Sequence, residues 1–367
     1  AYLYRFEEGK YFLVINAGNI DKDWAHLMNE AKNFDVKLTN VSDKYAAIAV
    51  QGPESKKILM TLSGGRQLTP ENVKNALNSL TMEGKPVRIA KTGYTGEPIG
   101  YELYCNSEDA RYFWDRLIEL GAKPTALGAR DTTRMEAALP LYGHEMGECE
   151  MGGEIQIYAV PLAKFAVSFD EAKGDFIGRE PLKKQFEALK KIMNRDYSSI
   201  EDLPYRIQPI YLEGKGVLRK GFPIYCKDAW AEGKQIGYVT SGTMIPYYKT
   251  EGQGLESVFT DETGKRSIGL AYMDSRICQD FDIEIDIRGR RQPAKVVGYH
   301  IRQDAAPYVR PILPDVKIET AAPSTDSYPE KMKNLVAAAK QNHLWRQTEC
   351  INLIPSENTQ SRAVRML

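Results

Sequence analysis

A glutamate in the sequence follows a glycine-rich stretch and could accept hydrogen bonds from a small ligand. The stretch is KTGYTGEPIGYEL at residues 91–103, and strand alternation turns Glu102 to the face opposite Tyr101 and Leu103. A carboxylate facing a pocket can accept two parallel hydrogen bonds, the pattern that an amino-pyrimidinone ring offers through its N–H and NH2 groups. A solvent-exposed strand glutamate explains the same alternation, and periodicity alone favours this simpler interpretation.

An arginine further along the chain is a second candidate for ligand binding. In ALGARDTTRMEAALPLYGHEM (126–146), Thr133 and Glu136 have the spacing of a capping box, and Pro140 ends the predicted helix. Arg130 is then expected just before the helix N-terminus, where its guanidinium and free backbone N–H groups can hold a carboxylate or a carbonyl oxygen. An ion pair with a nearby acidic side chain is the simpler alternative.

An asparagine near the start of the chain raises the same choice. Asn16 in VINAGN follows a strand-like run, so its amide either caps a turn or binds the edge of a ligand. The glycines of TGYTGEPIG and VTSG likewise either form turns or let a ligand or a carrier arm approach the backbone closely. The residues alone leave both choices open.

The overall composition limits the partners of this protein. The 367 residues suffice for two or three domains, and 49 lysines and arginines balance 49 aspartates and glutamates. This balance predicts neither a nucleic-acid nor an anionic membrane partner, and no apolar run approaches the roughly 18 residues of a membrane span. Five scattered cysteines and four histidines show no metal-ligand spacing, which predicts reduced thiols, no metal and a cytoplasmic location.

The elements that would position these side chains differ between the two parts of the chain. The residue pattern of the first part predicts these elements in order: a hairpin (2–16), a helix (19–34), two strands (within 36–53), a helix after Pro53, a strand pair around the glycine-rich stretch and a helix ending at Gly121. This order is typical of α+β folds, with helices on antiparallel sheets. From about Tyr205 the pattern changes to short strands with glycine and proline between them, which predicts a small barrel or sandwich.

Five stretches in order and spacing resemble a known family. KTGYTGEPIGYEL, LGARDTTRMEAALPLYGHEM, FIGREPL, IGYVTSGTMIP and IRGRRQPAKVV together resemble the T-protein, the tetrahydrofolate-dependent aminomethyltransferase of the glycine cleavage system, over about residues 1–312. The resemblance implies a cloverleaf of ferredoxin-like α+β parts plus a C-terminal antiparallel β-barrel, with folate in the central opening. It implies a folate-binding α+β region at 1–200, with its first domain incomplete, and the barrel at 201–312.

The resemblance also implies roles for individual residues. Glu102 matches the residue that binds the pterin ring, Arg130 a second folate contact, and Asn16 a residue beside the pterin. Tyr308 in DAAPYVRPI matches a folate-contacting tyrosine. The catalytic aspartate of the family, counted back from Asn16, would precede residue 1. We therefore expect an N-terminally truncated chain, and no catalytic residue is assigned within it.

The activity implied by the resemblance is a one-carbon transfer. The family moves an aminomethyl group from the lipoyl arm of the H-protein to tetrahydrofolate and produces 5,10-methylenetetrahydrofolate and ammonia, without a metal. Relatives with the same fold leave two alternatives open. One is a non-catalytic folate-binding module, and the other is a folate-dependent demethylase.

The C-terminal segment carries a second resemblance. SYPEKMKNLVAAAKQNHLWRQTECINLIPSENTQSRAV (327–364) resembles the N-terminus of serine hydroxymethyltransferase, and the stretch before it is rich in proline, serine, threonine and alanine. The expected organisation is a linker at 313–327 and the start of a serine hydroxymethyltransferase-like domain at 328–367. A fused serine hydroxymethyltransferase domain is therefore an expected partner.

Overall fold

The computed structural model describes two compact units. One unit is formed by Ala1–Ala126, and the other begins at Leu127. The described residues are 1–70, 73, 75–228, 230–252, 258–279, 281–298, 300–302 and 310–311. Tyr308, the predicted linker and the segment that resembles serine hydroxymethyltransferase lie outside them. No helix in these described ranges is both long enough and apolar enough to span a membrane.

The first unit combines a small hairpin, a four-stranded sheet and helices. Its elements are β1 (Tyr2–Glu7), β2 (Lys10–Val14), α1 (Ile20–Glu30), β3 (Tyr45–Gln51), α2 (Ser55–Leu62), β4 (Leu77–Met82), β5 (Lys85–Ala90), β6 (Gly100–Asn106) and α3 (Ala110–Glu119). β1 and β2 pair around Gly9, whose φ of 68° suits a tight turn. The sheet has the order β3-β6-β5-β4 and is antiparallel throughout.

Most elements predicted for this unit are present, but one predicted strand is wrong. Of the two strands expected within 36–53, only β3 is present, and residues 36–44 have no strand pairing. The side chain of Asn40 accepts a hydrogen bond from Ser42 N at 3.0 Å, which turns the chain just before β3 begins. This local turn competes with extension of the strand.

The core of the first unit lies between one face of the sheet and two helices. Tyr101, Leu103 and Cys105 of β6 point to this face and are buried. They pack against buried apolar side chains of α2 and α3, among them Leu59, Leu62, Phe113 and Leu117. Because side chains alternate along a strand, Glu102 and Tyr104 belong to the opposite face.

A charged clamp joins the β4–β5 turn to α3. Glu83 occupies the turn with φ of 45°, followed by Gly84 with φ of 82°, as a tight two-residue hairpin turn requires. Arg116 donates to both carboxylate oxygens of Glu83, at 2.7 Å and 3.0 Å, and Tyr112 Oη donates at 2.6 Å. These hydrogen bonds, that from Arg116 first, lower the pKa of Glu83 from 4.5 to about 2.

The depressed pKa of Glu83 makes the clamp sensitive to acid. A folded-state pKa below the unfolded value stabilises the fold above pH 4.5, and this contribution is lost as the pH falls from 4.5 towards about 2. We expect Arg116→Met to lower the free energy of unfolding at pH 7, and the difference from the parent to shrink between about pH 5 and pH 2. Urea denaturation across this range measures the effect. The exposed Arg111 of the same helix provides the control substitution Arg111→Met, and a pH-independent difference for Arg116→Met would contradict the assignment.

The second unit carries helices followed by a closed barrel. Its elements are α4 (Leu127–Glu136), β7 (Gly147–Glu148), β8 (Glu154–Ile155), α5 (Ala163–Ala166), α6 (Arg179–Met193), β9 (Tyr205–Leu212), β10 (Pro223–Cys226), β11 (Gln235–Glu251), β12 (Val258–Asp274), β13 (Asp282–Ile287), β14 (Arg290–Val296), β15 (Ile301–Arg302) and β16 (Arg310–Pro311). The barrel has the order β10-β11-β12-β9-β14-β13, and every pairing in it is antiparallel. The predicted α+β class and the predicted C-terminal antiparallel barrel are confirmed.

The barrel closes around an apolar interior, and a second core lies between its wall and the helices. Buried side chains from its strands, including Ile210, Ile224, Val239 and Ile283, form the interior cluster. On the other side of the wall, α6 buries Ala188, Leu189 and Ile192 against Leu270 and Tyr272 of β12. The long strand β12 therefore connects both cores of this unit.

Candidate functional site

Glu102 lies on the sheet face that the two helices leave uncovered. Its cross-strand neighbours are Ala49 on β3 and Ala90 on β5. Ala49 is exposed, whereas Ala90 is fully buried in a cluster with Tyr4 and Tyr104. Glu102 itself is half-buried. The alternation inferred from the sequence therefore places this carboxylate on the correct face, and the exposed Ala49 leaves its β3 side open.

A buried tyrosine holds the carboxylate of Glu102. Tyr104, two residues along the same strand, donates a hydrogen bond from Oη to Glu102 Oε2 at 2.5 Å. Tyr104 is only 2% exposed. Burial, and then the negative charge of Glu102, raise the pKa of Tyr104 well above its usual value. The tyrosine therefore keeps its proton and acts as a hydrogen-bond donor to the carboxylate.

The β1–β2 hairpin covers the neighbouring part of the same face with aromatic rings. Phe12 of β2 meets the Tyr104 ring edge-on, with centroids 5.4 Å apart. Arg88 of β5 is enclosed by the rings of Phe6, Phe12 and Tyr45, at 4.9 Å, 5.2 Å and 5.3 Å from its Cζ. Arg88 also donates to Tyr45 Oη at 2.6 Å. This arrangement fixes the hairpin on the sheet beside Glu102.

Asn16 follows this hairpin and caps a turn. Its Oδ1 accepts from Gly18 N at 3.2 Å at the start of a short 3-10 helix, and the side chain is exposed. Val14, two residues earlier, packs against the cluster that contains Ala90, the cross-strand neighbour of Glu102. The structure thus confirms the turn-capping interpretation of Asn16. Ligand binding by its amide stays a prediction.

The glycine-rich stretch before β6 wraps around one glutamine. Gln51 donates from Nε2 to Thr92 O at 3.2 Å and to Tyr101 O at 3.1 Å, and it accepts from Thr95 Oγ1 at 3.1 Å. A Cβ at Gly93 would lie 1.8 Å from Gln51 Oε1, and one at Gly100 would lie 2.2 Å from it. These two glycines therefore permit a close approach, but the approaching group belongs to the chain itself.

The packing around Gln51 predicts the effect of adding one methyl group. We expect Gly100→Ala to expel the Gln51 amide and to cost about 1–3 kcal/mol of unfolding free energy, because Thr92 O and Tyr101 O lose their donor. Urea denaturation measures this cost. Gln51→Ala with Gly100→Ala should be no less stable than Gln51→Ala alone, since the clash is then absent. Gly128→Ala is the control, because that glycine is helical and has nothing within 4 Å of the added Cβ. Additive losses in the double variant would contradict this packing.

The same stretch contains a carboxyl group whose environment is unusual. Glu97 is half-buried, and burial raises the pKa of its side chain. Its backbone N–H donates to Thr95 Oγ1 at 3.4 Å, so the residue is tied to the turn that Gln51 organises. No pattern in the sequence singles out Glu97, because it lies among turn residues without strand or helix periodicity.

Arg130 lies in the second unit, inside a helix. The expected start of the helix after Arg130 was wrong, since α4 begins at Leu127. Thr133 does not cap the helix, because its hydroxyl donates to the Arg130 carbonyl at 3.0 Å from within it. Arg130 is exposed in the first turn, where its guanidinium is open to solvent. A folate contact by Arg130 stays a prediction.

The next arginine of the same helix is fully buried and organises a polar network. Arg134 donates to Glu145 Oε2 at 2.8 Å, to Ser241 Oγ at 2.8 Å and to the Leu139 carbonyl at 3.1 Å. Ser241 Oγ in turn donates to Glu145 Oε1 at 2.6 Å. Arg134 and Glu145 are both 0% exposed, so this is a buried, fully hydrogen-bonded ion pair. It ties α4 to β11.

Neighbouring residues extend this network without opening it to solvent. His144 Nδ1 lies 3.2 Å from the Thr240 carbonyl, where the ring N–H donates, and 3.3 Å from Ser241 Oγ. A Cβ at Gly242 would lie 2.5 Å from the Leu218 carbonyl oxygen, so the glycine of VTSG allows two backbone segments to meet. The sequence stretches around Arg134 and Ser241 are thus complementary parts of one buried contact.

Comparisons with known proteins identify the family. A family profile described as the GCVT N-terminal domain matches residues 1–158. An aminomethyltransferase of Caldanaerobacter subterraneus is 34% identical over 299 residues, which cover 80% of this chain and 68% of that protein. An aminomethyltransferase of Anoxybacillus flavithermus is 36% identical over 301 residues, which cover 81% and 71%. The chain belongs to the aminomethyltransferase family of glycine cleavage.

A solved structure supports the fold of this family for the chain. The crystal structure of glycine cleavage system aminomethyltransferase T from Bartonella henselae matches with a TM-score of 0.54 at 21% identity, covering 80% of this chain and 69% of that one. Among the residues that the structure describes, no group of three or more His, Cys, Asp or Glu side chains could hold a metal ion.

The sequence predicts the face on which Glu102 lies, but not the residues that contact it. In the sequence Tyr104 is one more strand residue on the face of Glu102. The hydrogen bond between the two side chains depends on their rotamers, which the sequence does not show. Gln51 is 41 or more residues from every group it binds in the glycine-rich stretch. The available signal for the Gln51 contact was the presence of a glycine-rich stretch at 91–103 together with a strand-like run that ends at Gln51.

Proposed function

We propose that this chain transfers an aminomethyl group from the lipoyl arm of the H-protein to tetrahydrofolate. The products are 5,10-methylenetetrahydrofolate, ammonia and the free dihydrolipoyl thiol. The observation that carries the proposal is the half-buried Glu102 carboxylate on an open sheet face, in a chain whose relatives are named aminomethyltransferases. No oxidant or reductant is consumed, because the two protons released from N5 and N10 of the folate end on ammonia and on the thiol.

Glu102 is the proposed reader of the pterin ring. Its carboxylate has lone pairs for the ring N–H and the NH2 group, a pair of donors that a single carboxylate can bind side by side. Ala49 on the neighbouring strand is small and exposed, which leaves space for a flat ring on that side of the carboxylate. Binding in this way orients the ring and so sets the direction in which N5 faces the incoming carbon.

Asn16, Arg130 and Tyr308 are proposed as further folate contacts. Asn16 has its Oδ1 occupied by Gly18 N, so its NH2 group is the part that would meet a ligand acceptor. Arg130 offers an exposed guanidinium, which suits a carboxylate of the folate tail. The proposal for Tyr308 rests on the sequence alone.

The proposed function is tested in two stages. Isothermal titration with tetrahydrofolate measures binding, and an assay with aminomethylated H-protein measures the formation of 5,10-methylenetetrahydrofolate. Binding together with transfer would support the proposal, and absence of folate binding would overturn it. Binding without transfer would identify a non-catalytic folate module. Formation of methyltetrahydrofolate from another methyl donor would instead identify a demethylase.

A further inference from the structure

The carboxylate of Glu102 is held on one side and open on the other. Oε2 accepts the hydrogen bond of Tyr104 at 2.5 Å, and in the described part of the chain no other side chain donates to this carboxylate. A phenol carries a single proton, so it occupies one lone pair of Oε2. Oε1 and the second lone pair of Oε2 remain available to a ligand.

Tyr104 has little freedom to move. Its ring is met by Phe12 at a centroid distance of 5.4 Å and by Tyr4 at 6.5 Å, both in edge-on geometry. Ala47 and Arg88 are its cross-strand neighbours, and Arg88 is itself enclosed by aromatic rings. A side chain confined in this way presents its hydroxyl at a fixed point above the strand.

A carboxylate on a strand would otherwise rotate freely about its terminal bond. The last torsion of a glutamate side chain is broad, so an unheld carboxylate samples many orientations. Two parallel hydrogen bonds to a flat ring require one particular orientation of the carboxylate. Holding Oε2 before the ligand arrives removes part of the ordering cost of binding.

We propose that Tyr104 is a positioning residue, whose hydroxyl fixes the Glu102 carboxylate in the orientation that binds two adjacent N–H donors of a flat heterocycle. This inference rests on the proposed function. Tyr104 contributes through Glu102 and does not touch the ligand itself. It therefore contributes to selectivity for a ring with both donors over a ring that has lost its amino group.

The test is a double-mutant cycle on ligand binding. The four proteins are the parent, Tyr104→Phe, Glu102→Ala and the double variant, and the ligands are tetrahydrofolate and its 2-desamino analogue. Tyr104→Phe keeps the ring and removes only the hydroxyl. We expect it to weaken tetrahydrofolate binding about tenfold and to reduce discrimination against the analogue, and to have almost no effect in the Glu102→Ala background.

A matched control separates positioning from packing. Tyr45 lies on the same face and its hydroxyl also takes part in a hydrogen bond, but with Arg88. Tyr45→Phe should leave the discrimination between the two ligands unchanged. Equal weakening by Tyr104→Phe with and without Glu102 would overturn the positioning role, as would unchanged binding by Tyr104→Phe. If Tyr104→Phe does not fold, 3-fluorotyrosine at position 104 keeps the packing and strengthens the donor, and unchanged affinity would then overturn the role.

The outcomes also separate this inference from the proposed function. If Glu102→Ala binds tetrahydrofolate as tightly as the parent, the proposed pterin site fails and the positioning role fails with it. If Glu102→Ala weakens binding and the effect of Tyr104→Phe is additive, the pterin site stands and only the positioning role is wrong.

Discussion

Replacing Glu102 with alanine is expected to abolish most of the affinity for tetrahydrofolate. The substitution would leave the ring N–H and NH2 donors without an acceptor, at about 1–3 kcal/mol for each unpaired group. Two such groups correspond to a loss of roughly 30-fold or more in affinity. Isothermal titration measures the loss directly. The change also removes the acceptor of the buried Tyr104 hydroxyl, so urea denaturation accompanies the titration and should show that the variant is folded.

The control for this substitution is a glutamate that faces solvent. Glu8 lies in the first unit, and its side chain is 97% exposed and only loosely paired with Arg5 at 3.9 Å. Glu8→Ala should leave folate affinity unchanged. Unchanged affinity in Glu102→Ala would return Glu102 to the simpler interpretation, a solvated carboxylate on a strand that happens to border an open face.

The side of the sheet on which Glu102 lies could be predicted because strand alternation is a local property. Every second residue of β6 is apolar and buried, and this pattern alone excludes Glu102 from the core. The barrel was predictable for a similar reason, because strand-like segments and the glycines and prolines between them are local features of the sequence. The extra strand before β3 was wrong because Asn40 forms a side-chain turn that periodicity does not record.

The supporting contacts could not be predicted because they join distant parts of the chain. Arg130 and Arg134 are four residues apart and have similar sequence surroundings, yet one is exposed and the other fully buried. What distinguishes them is the position of Glu145 and Ser241, and Ser241 lies 107 residues from Arg134. The stretches around Arg134 and Ser241 both belong to the motifs of the family resemblance, and in the structure they meet in one buried contact.

Breaking the buried ion pair of the second unit is expected to have the largest effect on stability. Arg134→Met leaves Glu145 charged, buried and deprived of a donor, while Ser241 loses the guanidinium that it accepts from. Removing one partner of a buried pair typically costs about 3–5 kcal/mol, because the remaining charge is uncompensated. Urea denaturation should show this loss in the free energy of unfolding. Arg130→Met, at the exposed arginine one turn earlier, should change stability by no more than about 0.5 kcal/mol.

The double replacement distinguishes the ion pair from simple packing. With Arg134→Met and Glu145→Leu together, no charge remains buried, so part of the loss seen in Arg134→Met should be recovered. Recovery should be incomplete, because Leu141 N loses its acceptor in Glu145 and the Ser241 hydroxyl loses both its guanidinium donor and its carboxylate acceptor. A double variant whose loss equals the sum of the two single losses would mean that Arg134 stabilises α4 and β11 by filling volume and not by pairing charge.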